Sequence, residues 1–322
     1  MWVPYEALGP LRIEGDRDAV EASQRDDSSR TFLVSFFLES PGGREIETDF
    51  ALSGEENAGL VDAGGVARTA RLAAGPTGRL SELLVSVEAR RLEDALAQAW
   101  QLVATATARW SAASGRAVTI AGWRIADLRH GARWRLAPFR PSTVPLPPTP
   151  DLPLQPGHFV LLRAYQEARR SRSVFSRLLF AQRIVSAFER GIEPFATTDR
   201  LAASAGLVRA EPVLRRLDLV VADALVLFAE PVPSELPWKE ALAALTPAMR
   251  RVRDFVDPDR PPGDGTGWFQ YRTEREVCAA ANLADLLAHR ILSEEIRLLG
   301  ELARCSKGVA AREEARSVGA RA

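Results

Sequence analysis

The chain has 322 residues, 46% of them hydrophobic and 26% charged, the balance of a soluble globular protein with room for two ordinary domains. Lysine plus arginine and aspartate plus glutamate both number 42, so no basic excess marks a nucleic-acid binder, and nucleic acid is not the expected partner. Two cysteines (Cys278, Cys305) and three histidines (His130, His158, His289) are too few and too scattered for a zinc site; no metal and no cofactor is expected.

The N-terminal stretch has no basic segment followed by an apolar run, so it does not read as a signal peptide. No window approaches the roughly 20 apolar residues of a membrane span, and with so few cysteines the expectation is a cytoplasmic protein. TFLVSFFLES, 31–40, is rich in aromatic and β-branched residues and predicts a strand. REIETDFAL, 44–52, places Ile46, Thr48 and Phe50 two apart and predicts its antiparallel partner across Pro41-Gly42-Gly43. Residues 53–79, with several glycines and small side chains, read as loop with one short strand, and SELLVSVEA, 81–89, as a further strand. Leu92, Leu96, Ala99, Val103, Ala106, Trp110 and Ala113 step by four and three, one stripe of a helix that Gly115 stops. AVTIAGWRIADL and ARWRLAPF follow as two strands joined across Arg129-His130-Gly131.

PFRPSTVPLPPTPDLPLQPG, 138–157, holds eight of the 21 prolines. Proline fixes φ and removes the amide donor, so this run predicts an extended linker. His158, just after it, and His130, in the hairpin turn, read as exposed loop residues. FVLLRAYQEARR and VFSRLLFAQRIVSAFERG predict helices, and more are expected near 197–206, 211–229, 238–256 and 273–304. The fold class is therefore α+β. A strand-rich domain with one long helix (1–137) precedes the linker (138–157), an all-helical domain (158–305) and a disordered tail (306–322).

Few motifs carry chemistry. GDGTG, 263–267, lacks the lysine of a P-loop and follows two prolines, so it reads as plain loop. There is no G-x-S-x-G and no H-E-x-x-H. His289 is the candidate that matters. Leu283, Leu287, Ile291, Leu298 and Leu302 form one stripe of a helix, and His289 falls at its margin. Asp285 lies one turn before it, so a carboxylate could hold one ring nitrogen. That pair can orient a catalytic imidazole or simply close the edge of the apolar face, and the second reading is the expected one.

Two resemblances add to this. LPLQPGHFVLLRAYQEARRSRSVFSRLLFAQRIVSAFERG and SVEARRLEDALAQAWQLVATATARWSAASGRAVTIAGWRIADL resemble the MauJ-type proteins, named for methylamine-utilisation gene clusters, over roughly 80–305. This resemblance implies no particular chemistry. The two-helix pattern after the linker also resembles, more distantly, the HEPN-type domains of prokaryotic defence proteins. Active members carry an arginine five to seven positions before a histidine, a cation for the phosphate and a base for the ribose hydroxyl. Before His289 those positions hold Asn282, Leu283 and Ala284, and Arg272 and Arg275 lie too far back. The resemblance then implies a scaffold or binding module.

The expected function is a non-catalytic cytoplasmic accessory protein that binds a protein partner through its helical domain, with a second copy of the chain (a homodimer) as the alternative partner. Arg169, Arg170, Arg172 and Arg177, clustered by a turn, are the expected partner-facing residues. The competing expectations are a ribonuclease centred on His289, with Asp285 orienting it and Arg275 or Arg290 facing phosphate, and a small-ligand sensor.

Overall fold

The computed structural model describes residues 12–14, 16–40, 47–52, 56–61, 67–136, 152–171, 173–256 and 270–319. The described residues up to 136, with 270–276, form one compact unit; those of 152–256 and 277–319 form another. The composition is the expected α+β one.

In the first unit, β1 (Arg12–Ile13), β2 (Arg30–Glu39), β3 (Glu56–Val61), β4 (Ala67–Ala74), β5 (Leu80–Ala89), β6 (Thr119–Asp127) and β7 (Arg133–Leu136) form an antiparallel sheet in the order β1-β7-β6-β2-β5-β4-β3. The period-2 pattern of β2 sends Phe32, Val34, Phe36 and Leu38 into the core, where Leu83, Val85 and Val87 of β5 and Trp123 and Ile125 of β6 join them. The helix α2 (Leu92–Ser114) lays Leu96, Ala99, Trp100 and Val103 on this core, and Trp100 meets Phe36 edge-on with ring centroids 5.7 Å apart. It ends as expected at Gly115, whose φ of 67° suits a residue without Cβ. Tyr271 packs its ring against Trp100 and Trp123, at 5.1 and 6.4 Å between centroids.

Two expectations for this unit need correction, and one element adds to them. The partners of β2 are β5 and β6, not residues 44–52. Glu47 keeps one backbone contact, its carbonyl accepting from the Ser40 amide at 3.1 Å, and Ala51 forms a lone bridge to Arg79; residues 41–46 lie outside the described ones. The register with β5 sets Phe32 on Val87, Val34 on Val85 and Phe36 on Leu83, apolar pairs on the core face that the charged residues of 44–52 do not offer. Residues 53–79 contain two strands, β3 and β4, paired as a hairpin whose small and basic residues carry little intrinsic β signal. The short helix α1 (Arg17–Arg25), capped by the Asp16 carboxylate accepting from the Asp18 amide, was not expected at all; only Val20 and Ser23 of it are buried, too few to give a periodic pattern.

The second unit contains α3 (Pro156–Arg170), α4 (Val174–Glu189), α5 (Phe195–Ser204), α6 (Arg216–Val221), α7 (Trp238–Val256) and most of α8 (Tyr271–Gly319). It is not all-helical. The expected helix over 211–229 is instead β8 (Val213–Arg215), α6 and a short 3-10 turn (Ala224–Leu227), and β8 pairs with β9 (Glu235–Pro237). Asp223, at φ 52°, breaks the helix there. The start of α3 at Pro156 lies inside the expected linker because proline is well placed in the first helical position; residues 138–151 of that linker lie outside the described ones. At its other end α8 runs as helix to Gly319, past the tail expected from 306, and alanine, arginine and glutamate there are good helix formers. From Ala279 to Ala288 every residue of α8 is buried, so it is the central helix of the unit rather than a one-sided surface helix.

Candidate functional site

A central helix can bury polar side chains only if each meets a partner, and α8 carries two buried ones in one stretch, Asn282 and Asp285, followed by the half-buried His289 and Arg290. The Asn282 amide donates to the Ala222 carbonyl just after α6 at 3.1 Å, and its oxygen faces Arg177 of α4 at 3.4 Å. The Asp285 carboxylate accepts from Arg169 of α3 at 2.5 Å. His289 turns Nδ1 to the Tyr165 hydroxyl of α3, 3.3 Å away, and the two rings stack at 26°. Arg290 donates to Asp218 of α6 at 2.9 Å. The stripe thus ties α3, α4 and α6 to the central helix.

The expected Asp285–His289 pair does not form. A guanidinium carries a full charge and a fork of donors, so Arg169 takes the carboxylate in preference to a neutral imidazole. Burial, with Arg290 and Arg169 nearby, pushes the His289 pKa down to about 4. A base that weak is poorly matched to proton abstraction at neutral pH. Arg275 is exposed on α8, in the part that groups with the sheet, and does not join His289. Of the arginines expected to face a partner, Arg177 is buried and Arg169 is held by Asp285, whereas Arg170 is 66% exposed beside Glu167; Arg172 lies outside the described residues. Their sequence spacing around a turn could not show that α4 points Arg177 at the core.

The depressed His289 pKa has a consequence for stability. Between about 4 and the ordinary value of 6.5 the unfolded chain takes up a proton that the fold refuses, so stability falls as pH drops through that window and levels off below it. The loss is expected to be on the order of 2 kcal/mol, and His289→Gln should flatten it. Urea unfolding of both proteins at pH 7, 6, 5 and 4 measures the difference; parallel curves would mean that protonated His289 is tolerated.

A second cluster was not legible in the sequence. His158, read as an exposed loop residue, is buried at the third position of α3 and helps cap that helix, its Nδ1 accepting from the Gln155 amide at 2.9 Å. That bond fixes the proton on Nε2, which donates to Glu295 of α8 at 2.7 Å. The Thr198 hydroxyl donates to the same carboxylate oxygen at 2.5 Å, and Arg209 stands 2.6 Å from the other. Arg209 also reaches Asp199 and lies over the rings of Phe188 and Phe195. Among the described residues no group of three or more His, Cys, Asp and Glu side chains is arranged to hold a metal ion. No helix among them is long and apolar enough to cross a membrane.

Comparison with known proteins places this architecture. The family profile described as methylamine utilization protein MauJ, N-terminal domain, matches residues 5–136. The methylamine utilization protein MauJ of Paracoccus denitrificans is 31% identical over 301 residues, 92% of this chain and 96% of that protein. MauJ of Methylorubrum extorquens is 32% identical over 303 residues, with the same coverage, and that of Paracoccus versutus 30% over 301 residues. The chain belongs to the MauJ family. No solved structure matches it.

The region matched by the MauJ profile is nearly the sheet unit, and one buried latch holds its end. Asp127, where β6 ends, accepts from the Ser23 hydroxyl of α1 at 2.5 Å and from Arg30 Nε of β2 at 2.7 Å, and its other oxygen caps the β6–β7 turn through the amides of Arg129 and His130. Burial alone would raise the Asp127 pKa, but these hydrogen bonds outweigh it and the carboxyl sits below its ordinary value. His130, expected to be exposed, is half-buried, with Nε2 at 2.9 Å from Asp26.

Proposed function

We propose that this MauJ-type chain is a cytoplasmic accessory protein of methylamine utilization that binds a protein partner and catalyses no reaction itself. The name shared by its relatives supports the pathway. The observation that carries partner binding is the outer face of α6. Leu217, Val220 and Val221 lie three and four residues apart, one stripe of the helix, and are 67%, 52% and 41% exposed. The inner face of α6 is fixed by buried Leu219 and by Asp218 on Arg290. An apolar stripe mounted rigidly and left open to water is the kind of surface that a protein partner covers. The polar groups of α8, by contrast, are engaged in holding neighbouring helices, which leaves the ribonuclease reading with a weak base whose nearby arginines, Arg169 and Arg290, are paired with Asp285 and Asp218.

The test is affinity capture of the tagged chain from methylamine-grown cells, beside the double variant Leu217→Asp, Val220→Asp. Recovery of a specific partner is expected to fall about tenfold or more in the variant, since truncating central apolar anchors costs at least ~1–2 kcal/mol. Its melting temperature should hardly change, because both side chains already face solvent. Undiminished recovery would remove α6 as the contact, and reversal of Arg170 to glutamate is the companion test of the arginine surface. Cleavage of labelled RNA by the purified chain, lost in His289→Ala, would overturn the non-catalytic reading.

A further inference from the structure

We propose that the groove between α3 and α4 is a binding site for a small amphiphilic anion, an alkyl or aryl carboxylate. Phe159, Val160, Ala164 and Phe180 make an apolar wall, and Arg163, Glu167 and Arg183 stand at its edge, around a volume of about 350 Å³. That volume falls within the range of roughly 300–1,000 Å³ of small-molecule sites, which pair apolar walls with a few convergent polar groups. Phe159 and Val160 are adjacent on α3 and are 58% and 49% exposed, so the helical unit itself leaves this wall uncovered.

The charges at the edge select the occupant. Arg163 lies 2.5 Å from Glu167, whose carboxylate Arg170, outside the groove lining, also approaches at 3.5 Å, so Arg163 and Glu167 are already engaged with each other. Arg183 is exposed and makes no ion pair or hydrogen bond among the described residues. The groove therefore offers one uncompensated guanidinium beside two phenyl rings. A single carboxylate matches that fork of donors in shape and charge. A cationic amphiphile meets repulsion at Arg183, and a phosphate dianion brings a second charge toward Glu167. The site shares no residue with the α6 stripe, so its failure and that of the proposed partner surface are separable.

The experiment is calorimetric titration of the full chain with sodium octanoate, with octylammonium chloride and with phosphatidylglycerol vesicles. Octanoate is expected to bind saturably at one site, with octylammonium at least about tenfold weaker. Arg183→Glu should weaken octanoate by about tenfold or more while Arg183→Lys keeps most of the affinity, and Phe159→Ser should weaken it several-fold. Arg183 is exposed and unpaired, so circular dichroism should show both of its variants folded. Equal binding of the two amphiphiles, an unchanged octanoate affinity in Arg183→Glu, or no saturable heat up to about 10 mM octanoate would overturn the proposal. So would vesicle binding without octanoate binding, which would assign the surface to a membrane.

Discussion

Replacing Asp127 with alanine is expected to lower the stability of the sheet unit by about 3–5 kcal/mol, the cost of stranding a buried charge. The Arg30 side chain is 3% exposed, and Asp127 is its only carboxylate among the described residues. Arg30 cannot swing out to water at low cost, because its other nitrogens donate to the carbonyls of Ser23, Asp26, Ser28 and Arg90. The variant also frees the Ser23 hydroxyl that ties α1 to the sheet, and two amides of the β6–β7 turn. Asp127→Asn keeps the shape and should cost less. The double variant Arg30→Met, Asp127→Leu should recover much of the loss, since the removal of both charges leaves neither unpaired. Urea unfolding followed by tryptophan fluorescence, to which Trp100, Trp123 and Trp134 contribute from this unit, measures each step. A loss below about 1 kcal/mol for Asp127→Ala would mean that water reaches Arg30. Because the Asp127 pKa is depressed in the fold, its contribution is present at neutral pH and is lost as pH falls below the ordinary carboxylate range of about 4.

The elements legible in the sequence were those whose own periodicity settles them. α2 had a long four-three stripe and a glycine stop, and β2, β5, β6 and β7 had aromatic and β-branched alternation. Alternation says which face of a strand is buried but not which strand lies beside it, so it leaves the neighbour in sequence as the natural partner of β2, whereas β5 and β6 flank it. The site shows the same limit. His289 at the margin of a packed helix was readable, but its partners were not: Asp285 is the local candidate at one turn, whereas the group that takes Asp285 is Arg169, 116 positions away. His158 was hidden by the proline run, yet Pro156 in the first turn was the signal that a helix begins there and carries His158 inward. Nothing local announces that Glu295, in a charged stretch of α8, is buried; that follows only from the placement of α3, α5 and Arg209 around it.

Glu295→Ala is therefore expected to be the most damaging single change in the helical unit, at about 3–5 kcal/mol. The carboxylate is 2% exposed and serves three groups from three parts of the chain, so its removal leaves the His158 Nε2–H and the Thr198 hydroxyl without their acceptor and Arg209 with Asp199 alone. Glu295→Gln separates the contributions. An amide oxygen can still accept from His158 and Thr198, but it gives Arg209 no counter-charge. If Gln costs nearly as much as Ala, the Arg209 ion pair dominates; if it costs about 1 kcal/mol, the range of a single neutral hydrogen bond, the shared acceptor dominates. Arg209→Met in each background closes the cycle, and a coupling of about 1 kcal/mol or more is expected because the two side chains touch. The measurement is urea unfolding followed by circular dichroism at the helical band. Partner recovery should fall for Glu295→Ala only in step with the unfolded fraction, unlike Leu217→Asp, Val220→Asp, which should lose the partner while fully folded. A Glu295→Ala protein as stable as the parent would mean that the cluster is solvated, and His158 would then regain the exposed role that its sequence position suggests.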